Sequence, residues 1–125
     1  MRELWVSAEI DAPAPAVWDL LVDPAAWPRW GPSVRRASVE SGALASGARG
    51  KVMTALGVTL GFEITTFERG SRWAWKVGGV KATDHRVEPL GPHRCRVSFG
   101  VGCLAAPYLA ICRIALRRLD RLATK

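Results

Sequence analysis

A chain of 125 residues with 49 % hydrophobic and 23 % charged side chains is long enough for one well-cored domain, spanning residues 1–125, and too short for two. The net charge of +7 comes from 18 Lys and Arg that are scattered with no run of four, so the charge balance by itself marks neither a nucleic-acid nor a membrane surface. Cys95, Cys103 and Cys112 form no CxxC pair and no disulfide framework; with no secretory leader and no apolar run of membrane-spanning length, a reduced, cytoplasmic protein is expected.

The first element, "LWVSAEI", alternates Val6, Ala8 and Ile10 against Trp5, Ser7 and Glu9, the pattern of a half-buried strand. Pro13 and Pro15 end it and open a helix carrying Val17, Leu20 and Leu21, because proline is tolerated in a first turn. "DPAAW" then restarts the chain, with Asp23 as cap, Pro24 at the first helical position, and Trp27 and Trp30 three apart before "GP". The stretch therefore predicts a helix, a break and a second short helix.

From Val34 to Gly102 the punctuation is that of strands: "VRRASVE", "KVMTAL" and "TLGFEITTF" about Gly57, "RWAWKV" and "VKATDHRVEP" about Gly78-Gly79, then "HRCRVSFGV". Short turns between short strands predict an antiparallel meander. "APYLAICRIALRRLDRLATK" closes the chain as a long amphipathic helix opened near Pro107. Its apolar stripe runs through Tyr108, Cys112, Ala115, Leu119 and Leu122, widened by Leu109, Ile111 and Leu116. Arg113, Arg117 and Arg121 occupy the opposite face, where solvation explains them better than a membrane surface does. A twisted sheet curling about one helix leaves a hollow where it curves away, and the broken helices after the first strand would plug its end.

The segment "AEIDAPAPAVWDLLVDPAAWPRWGPSV", with "W…GGVKATDHRVEP" and the C-terminal helix after it, resembles the polyketide cyclase/dehydrase and lipid-transport family of the SRPBCC superfamily, which includes START-type and pollen-allergen-like domains. The resemblance implies an α+β helix-grip fold: a curved seven-stranded antiparallel sheet around a long C-terminal helix, with two short helices after the first strand. It also implies a hydrophobic small molecule as partner, lipid- or polyketide-like and carrying an acidic or polar head, with the alternative of a cyclase- or dehydratase-type enzyme. The short turns suggest a small cavity. A further alternative is an interaction module using the arginine face of the last helix.

The expected walls of the cavity are Phe62, Ile64, Trp73, Trp75, Val97 and Phe99 on the sheet and Tyr108, Cys112 and Leu116 on the helix. Trp27 and Trp30 are expected at its mouth, each with part of its ring exposed. His85, on the strand across from Trp73 and Trp75, is the candidate to orient a ligand or act as general base near neutral pH, with Tyr108 a second candidate. Core packing competes with each of these readings. Asp84 should face away from His85. No metal-ligand spacing, Ser/His/Asp arrangement or phosphate loop occurs, so no metal or cofactor is expected. "RWAWK" puts its aromatic and basic residues on opposite faces, which argues against nucleic acid, and stable membrane insertion is not expected. Composition leaves the oligomeric state open.

Overall fold

The computed structural model describes residues 3–124, and of residues 103 and 104 the backbone only, so the Cys103 thiol lies outside the described side chains. The elements are β1 (Glu3–Ile10), α1 (Ala14–Val22), α2 (Trp27–Trp30), β2 (Val34–Val39), β3 (Arg49–Thr54), β4 (Thr59–Glu68), β5 (Arg72–Val77), β6 (Val80–Gly91) and β7 (Arg94–Gly102). A 3₁₀ helix (Cys103–Tyr108) and α3 (Leu109–Ala123) complete the chain. The seven strands form one antiparallel sheet in the order β1-β7-β6-β5-β4-β3-β2. This is the α+β helix-grip arrangement anticipated from the sequence.

The break between α1 and α2 has a local cause. A residue before proline is driven out of the α region, and Asp23, ahead of Pro24, sits at φ −94°, ψ 106°. Its Oδ1 accepts a hydrogen bond from the Ala25 N–H at 3.0 Å, so the same residue stops one helix and caps the turn leading to the next. Gly78 and Gly79 take φ values of 60° and 78° to turn β5 into β6.

Two other glycines are needed for space rather than for φ. A Cβ on Gly50 would lie 2.6 Å from the ring of Phe62 opposite it, and one on Gly100 would lie 2.7 Å from the indole of Trp5. Each aromatic ring thus lies across the backbone of its neighbour, Phe62 toward the helix and Trp5 on the outer face.

α3 lays Cys112, Ala115, Leu116 and Leu119 against a core that includes Ile10, Val97 and Phe99, while Arg113, Arg117 and Arg121 are exposed. The helix begins later than its periodicity suggested. Pro107 lies inside the 3₁₀ segment, and Tyr108, placed on the α-helical stripe by spacing, is the residue before α3 and is half-exposed.

The outer face of the sheet is a lattice of charge pairs. Arg72 grips the buried carboxylate of Asp84 through three hydrogen bonds of 2.8–3.1 Å. Arg86 lies 4.6 Å from the centroid of Trp5. Glu9 accepts from Arg94 and Arg96, and Arg96 also donates to Glu88. Much of the basic excess on this face is therefore already partnered.

Candidate functional site

The broken helices enter the space between sheet and α3. Trp27 and Trp30 are 1 % and 6 % exposed, which corrects the expectation of partly exposed rings at a mouth. Their indole N–H groups explain the placement: Trp27 Nε1 donates to the Leu21 carbonyl at 2.8 Å and Trp30 Nε1 to the Leu20 carbonyl at 2.9 Å. These carbonyls belong to the last turn of α1, where intrahelical donors run out. The two rings can therefore be buried with their polar atoms satisfied. Trp27 stacks on Trp73 with 5.5 Å between centroids and meets Trp75 and Phe62 at 5.3 and 5.7 Å. Side chains from the plug fill the inner part of the hollow.

What remains there is an inner chamber of about 40 Å³, lined by Trp27, Trp30, Trp73, Trp75, His85 and Phe99 from the plug and sheet, with Tyr108, Ile111, Cys112 and Ala115 opposite. The cross-strand register puts His85 directly opposite Trp73 on one side and Phe99 on the other. The imidazole stacks on the Trp73 ring with 3.8 Å between centroids and 17° between planes. His85 Nδ1 lies 3.2 Å from the Trp73 carbonyl. A carbonyl only accepts, so this contact places the proton on Nδ1 and leaves Nε2 as an acceptor.

Burial, opposed by that hydrogen bond and by the charge of Asp84, lowers the His85 pKa to about 4. The imidazole is therefore neutral at neutral pH, the form that can accept a proton, but a weaker base than a free imidazole. Asp84 points to the other face and is occupied by Arg72.

An outer chamber of about 400 Å³ adjoins the inner one, within the range of small-molecule sites. Val34, Val52, Thr54, Leu56, Val77 and Ala82 form one part of its lining, and Val101, Gly102 and Ala105 another. Ser33, Val34, Trp75, Thr83 and Tyr108 line both chambers and form the neck between them. Across this neck the Ser33 and Tyr108 hydroxyls lie 2.6 Å apart, tying the loop after α2 to the 3₁₀ helix. Burial pushes the Tyr108 phenol above its ordinary pKa, against the opposing effect of the Ser33 hydrogen bond. Burial also pushes the Cys112 thiol up, to about 11, so it is inert.

The residues singled out from the sequence thus separate into groups. Trp27, Trp30, Trp73, Trp75, His85, Phe99, Tyr108 and Cys112 surround the inner chamber, and of these only Trp75 and Tyr108 reach the outer one. Phe62, Ile64, Val97 and Leu116 line neither chamber; they are buried core. Most of the outer lining was missed, because Val52, Thr54, Ala82 and Ala105 carry no distinctive chemistry. One signal was present: Leu56, which lines the outer chamber, is an apolar residue at a hairpin tip and is 92 % exposed.

A curved antiparallel sheet packed on a C-terminal helix, with an apolar hollow between the sheet and the 3₁₀ segment that leads into that helix, defines a helix-grip domain of the SRPBCC type. The chain belongs to the polyketide cyclase/dehydrase and lipid transport family, which matches residues 1–123. Solved structures agree on the fold. The protein XoxI from Bacillus cereus superposes with a TM-score of 0.76 at 16 % identity, over 98 % of this chain and 96 % of that one. A protein from Thermobifida fusca gives 0.68 at 20 % identity, over 98 % and 95 %. The di-domain ARO/CYC BexL of the BE-7585A biosynthetic pathway gives 0.77 at 16 % identity, over 97 % of this chain and 46 % of that one. At these identities the likeness concerns the fold alone. No curated protein matches the sequence. Among the described residues no helix is long and apolar enough to cross a membrane, and no three His, Cys, Asp or Glu side chains gather as a metal site.

Proposed function

We propose that this protein binds and carries a hydrophobic small molecule, lipid- or polyketide-like, in the outer chamber between the sheet and the 3₁₀ helix. The observation that carries this reading is an apolar space of about 400 Å³ beside a closely packed core. Each 100 Å² of ligand surface buried there would contribute roughly 2.5 kcal/mol. Association itself costs about 4 kcal/mol or more, so a ligand must bury several hundred Å² to be held. The low basicity of His85 favours carriage over proton-transfer chemistry. The free, buried thiols of Cys95 and Cys112 fit a reducing, cytoplasmic setting.

Native mass spectrometry of the purified protein, followed by titration of tryptophan fluorescence with aromatic and fatty-acid-like ligands, tests the proposal. A saturable change is expected, because Trp75 forms part of the outer wall. If no amphiphile co-purifies and none gives a saturable signal, the carrier reading falls.

A further inference from the structure

The ring nitrogens around the inner chamber are not equally available to a ligand. Trp27 Nε1 and Trp30 Nε1 are spent on backbone carbonyls of α1. Trp73 Nε1 and Trp75 Nε1 are enclosed by their neighbours and offer nothing to the chamber. His85 Nε2 differs from these: among the described residues it has no hydrogen-bond partner, yet it is not one of the enclosed polar atoms. Ring geometry gives its direction. Nδ1, next to the carbon that joins ring to side chain, is held 3.2 Å from the Trp73 carbonyl on the neighbouring strand. Nε2, at the far end of the ring, is thereby directed off the sheet into the chamber that His85 lines, with Ile111, Cys112 and Ala115 opposite.

With the proton fixed on Nδ1, Nε2 can only accept. That sorts the groups able to enter. A carbonyl or ether oxygen would set lone pair against lone pair. A carboxylate would add a charge, and no Lys or Arg lines the chamber. An ammonium could donate, but no Asp or Glu lines it either, and Asp84 is turned to the other face and held by Arg72. A neutral hydroxyl meets each requirement: it donates to Nε2 without carrying charge, and Thr83, a second polar residue of the lining, can bond it from the neck. Space agrees. About 40 Å³ admits a group about the size of a water molecule. It admits no ring system, since an apolar cavity that holds benzene is about 150 Å³.

We propose that the inner chamber receives the head of the carried ligand, and that this head is an uncharged hydroxyl, of an alcohol or a phenol, donating its hydrogen to His85 Nε2. The proposal rests on the reading that the outer chamber holds the apolar body of the same molecule. Head and body would join through the neck at Trp75 and Thr83. The acidic or polar head anticipated from the family resemblance is thereby narrowed to a neutral donor, and His85 becomes the residue that selects among amphiphiles of one shape.

Three probes of similar shape separate the possibilities: 2-naphthol, 2-methylnaphthalene and 2-naphthoate, each titrated calorimetrically at pH 7. The naphthol should bind about fivefold or more tighter than the hydrocarbon, and tighter than the carboxylate. The ¹⁵N resonance of His85 Nε2 should move upfield on binding the naphthol and not on binding 2-methylnaphthalene. In His93→Gln, which lacks the chain's other histidine, the assignment of that resonance is unambiguous. His85→Phe should lower naphthol affinity to that of the hydrocarbon and leave 2-methylnaphthalene unaffected. The wild-type affinities and the resonance decide if that variant does not fold. Equal binding of naphthol and hydrocarbon, or tightest binding of the carboxylate, overturns the hydroxyl proposal and leaves the carrier reading intact. So does an unmoved Nε2 resonance in naphthol-loaded protein, which would leave that nitrogen to water. Failure of all three probes to bind would overturn both.

Discussion

The two halves of the space between sheet and helix are built from the same backbone curvature and end up different. In the inner half, Trp27 and Trp30 enter from α2 and meet Trp73, Trp75, His85 and Phe99, leaving about 40 Å³. In the outer half the lining runs to Ala82, Ala105, Gly102, Thr54 and Val52, and about 400 Å³ stays open. A hollow of this kind is decided by side-chain size at a few positions rather than by the fold. The same broken helix pair that closes one end therefore also determines where a ligand can sit.

The largest expected effect comes from emptying the filled half. Trp27→Ala removes a ring that stacks on Trp73 and touches Phe62, and should cost about 3–5 kcal/mol in chemical denaturation. Added indole should recover part of that loss. A cost below about 1 kcal/mol would mean that the inner half is not packed as described.

Acid comes next. The pKa of His85 is depressed from its ordinary 6.5 to about 4, so the unfolded chain binds a proton that the native chain refuses. Stability is therefore full above pH 6.5 and is lost as pH falls toward 4, by about 3 kcal/mol over that window. Urea midpoints at pH 7 and pH 4.5 should show a drop that shrinks in His85→Gln. An equal drop in both proteins would place the acid sensitivity elsewhere.

Filling the open half should separate binding from stability. Ala82→Phe projects a ring into the outer chamber and should weaken apolar ligands by at least about tenfold, or about 1.4 kcal/mol. Its denaturation midpoint should change by less than about 1 kcal/mol, since the added ring meets space rather than packed neighbours. Unchanged ligand affinity would locate the site outside this chamber.

The smallest effect is at the neck. Tyr108→Phe removes the hydroxyl that bonds Ser33 and should cost about 1 kcal/mol or less. Stopped-flow fluorescence should register faster ligand entry and release. Unaltered rates would make the Ser33–Tyr108 pair a tether with no part in access.

Much of the architecture was legible in the amino-acid sequence because its causes are local. Alternation in β1 and in Trp73/Trp75/Val77 places faces with a period of two, and Gly78-Gly79 turns one strand into the next. Pro24 forces Asp23 out of the helix whatever the rest of the chain does. His85 comes to share the face of Trp73 only through a register shift: counted from the Val77–Val80 pair at the turn Trp73 would stand opposite Asp84, and the irregularity between Ala74 and Lys76 puts it opposite His85 instead. The start of the last helix was less legible, because spacing continues through Tyr108 while Pro107 draws that turn into a 3₁₀ helix.

The tertiary structure alone decided which part of the hollow is empty. That outcome depends on Trp27 meeting Trp73 and Phe62, residues more than thirty positions away, and on small residues gathered from β3, β6, β7 and the 3₁₀ helix. It also decided that His85 is neutral and that the Trp73 and Trp75 N–H groups have no partner among the described residues, since burial is a property of the assembled core. Periodicity reads the direction in which a side chain points. What that side chain meets is set by packing between segments distant in the chain, and in this protein that packing is what shapes the candidate binding site.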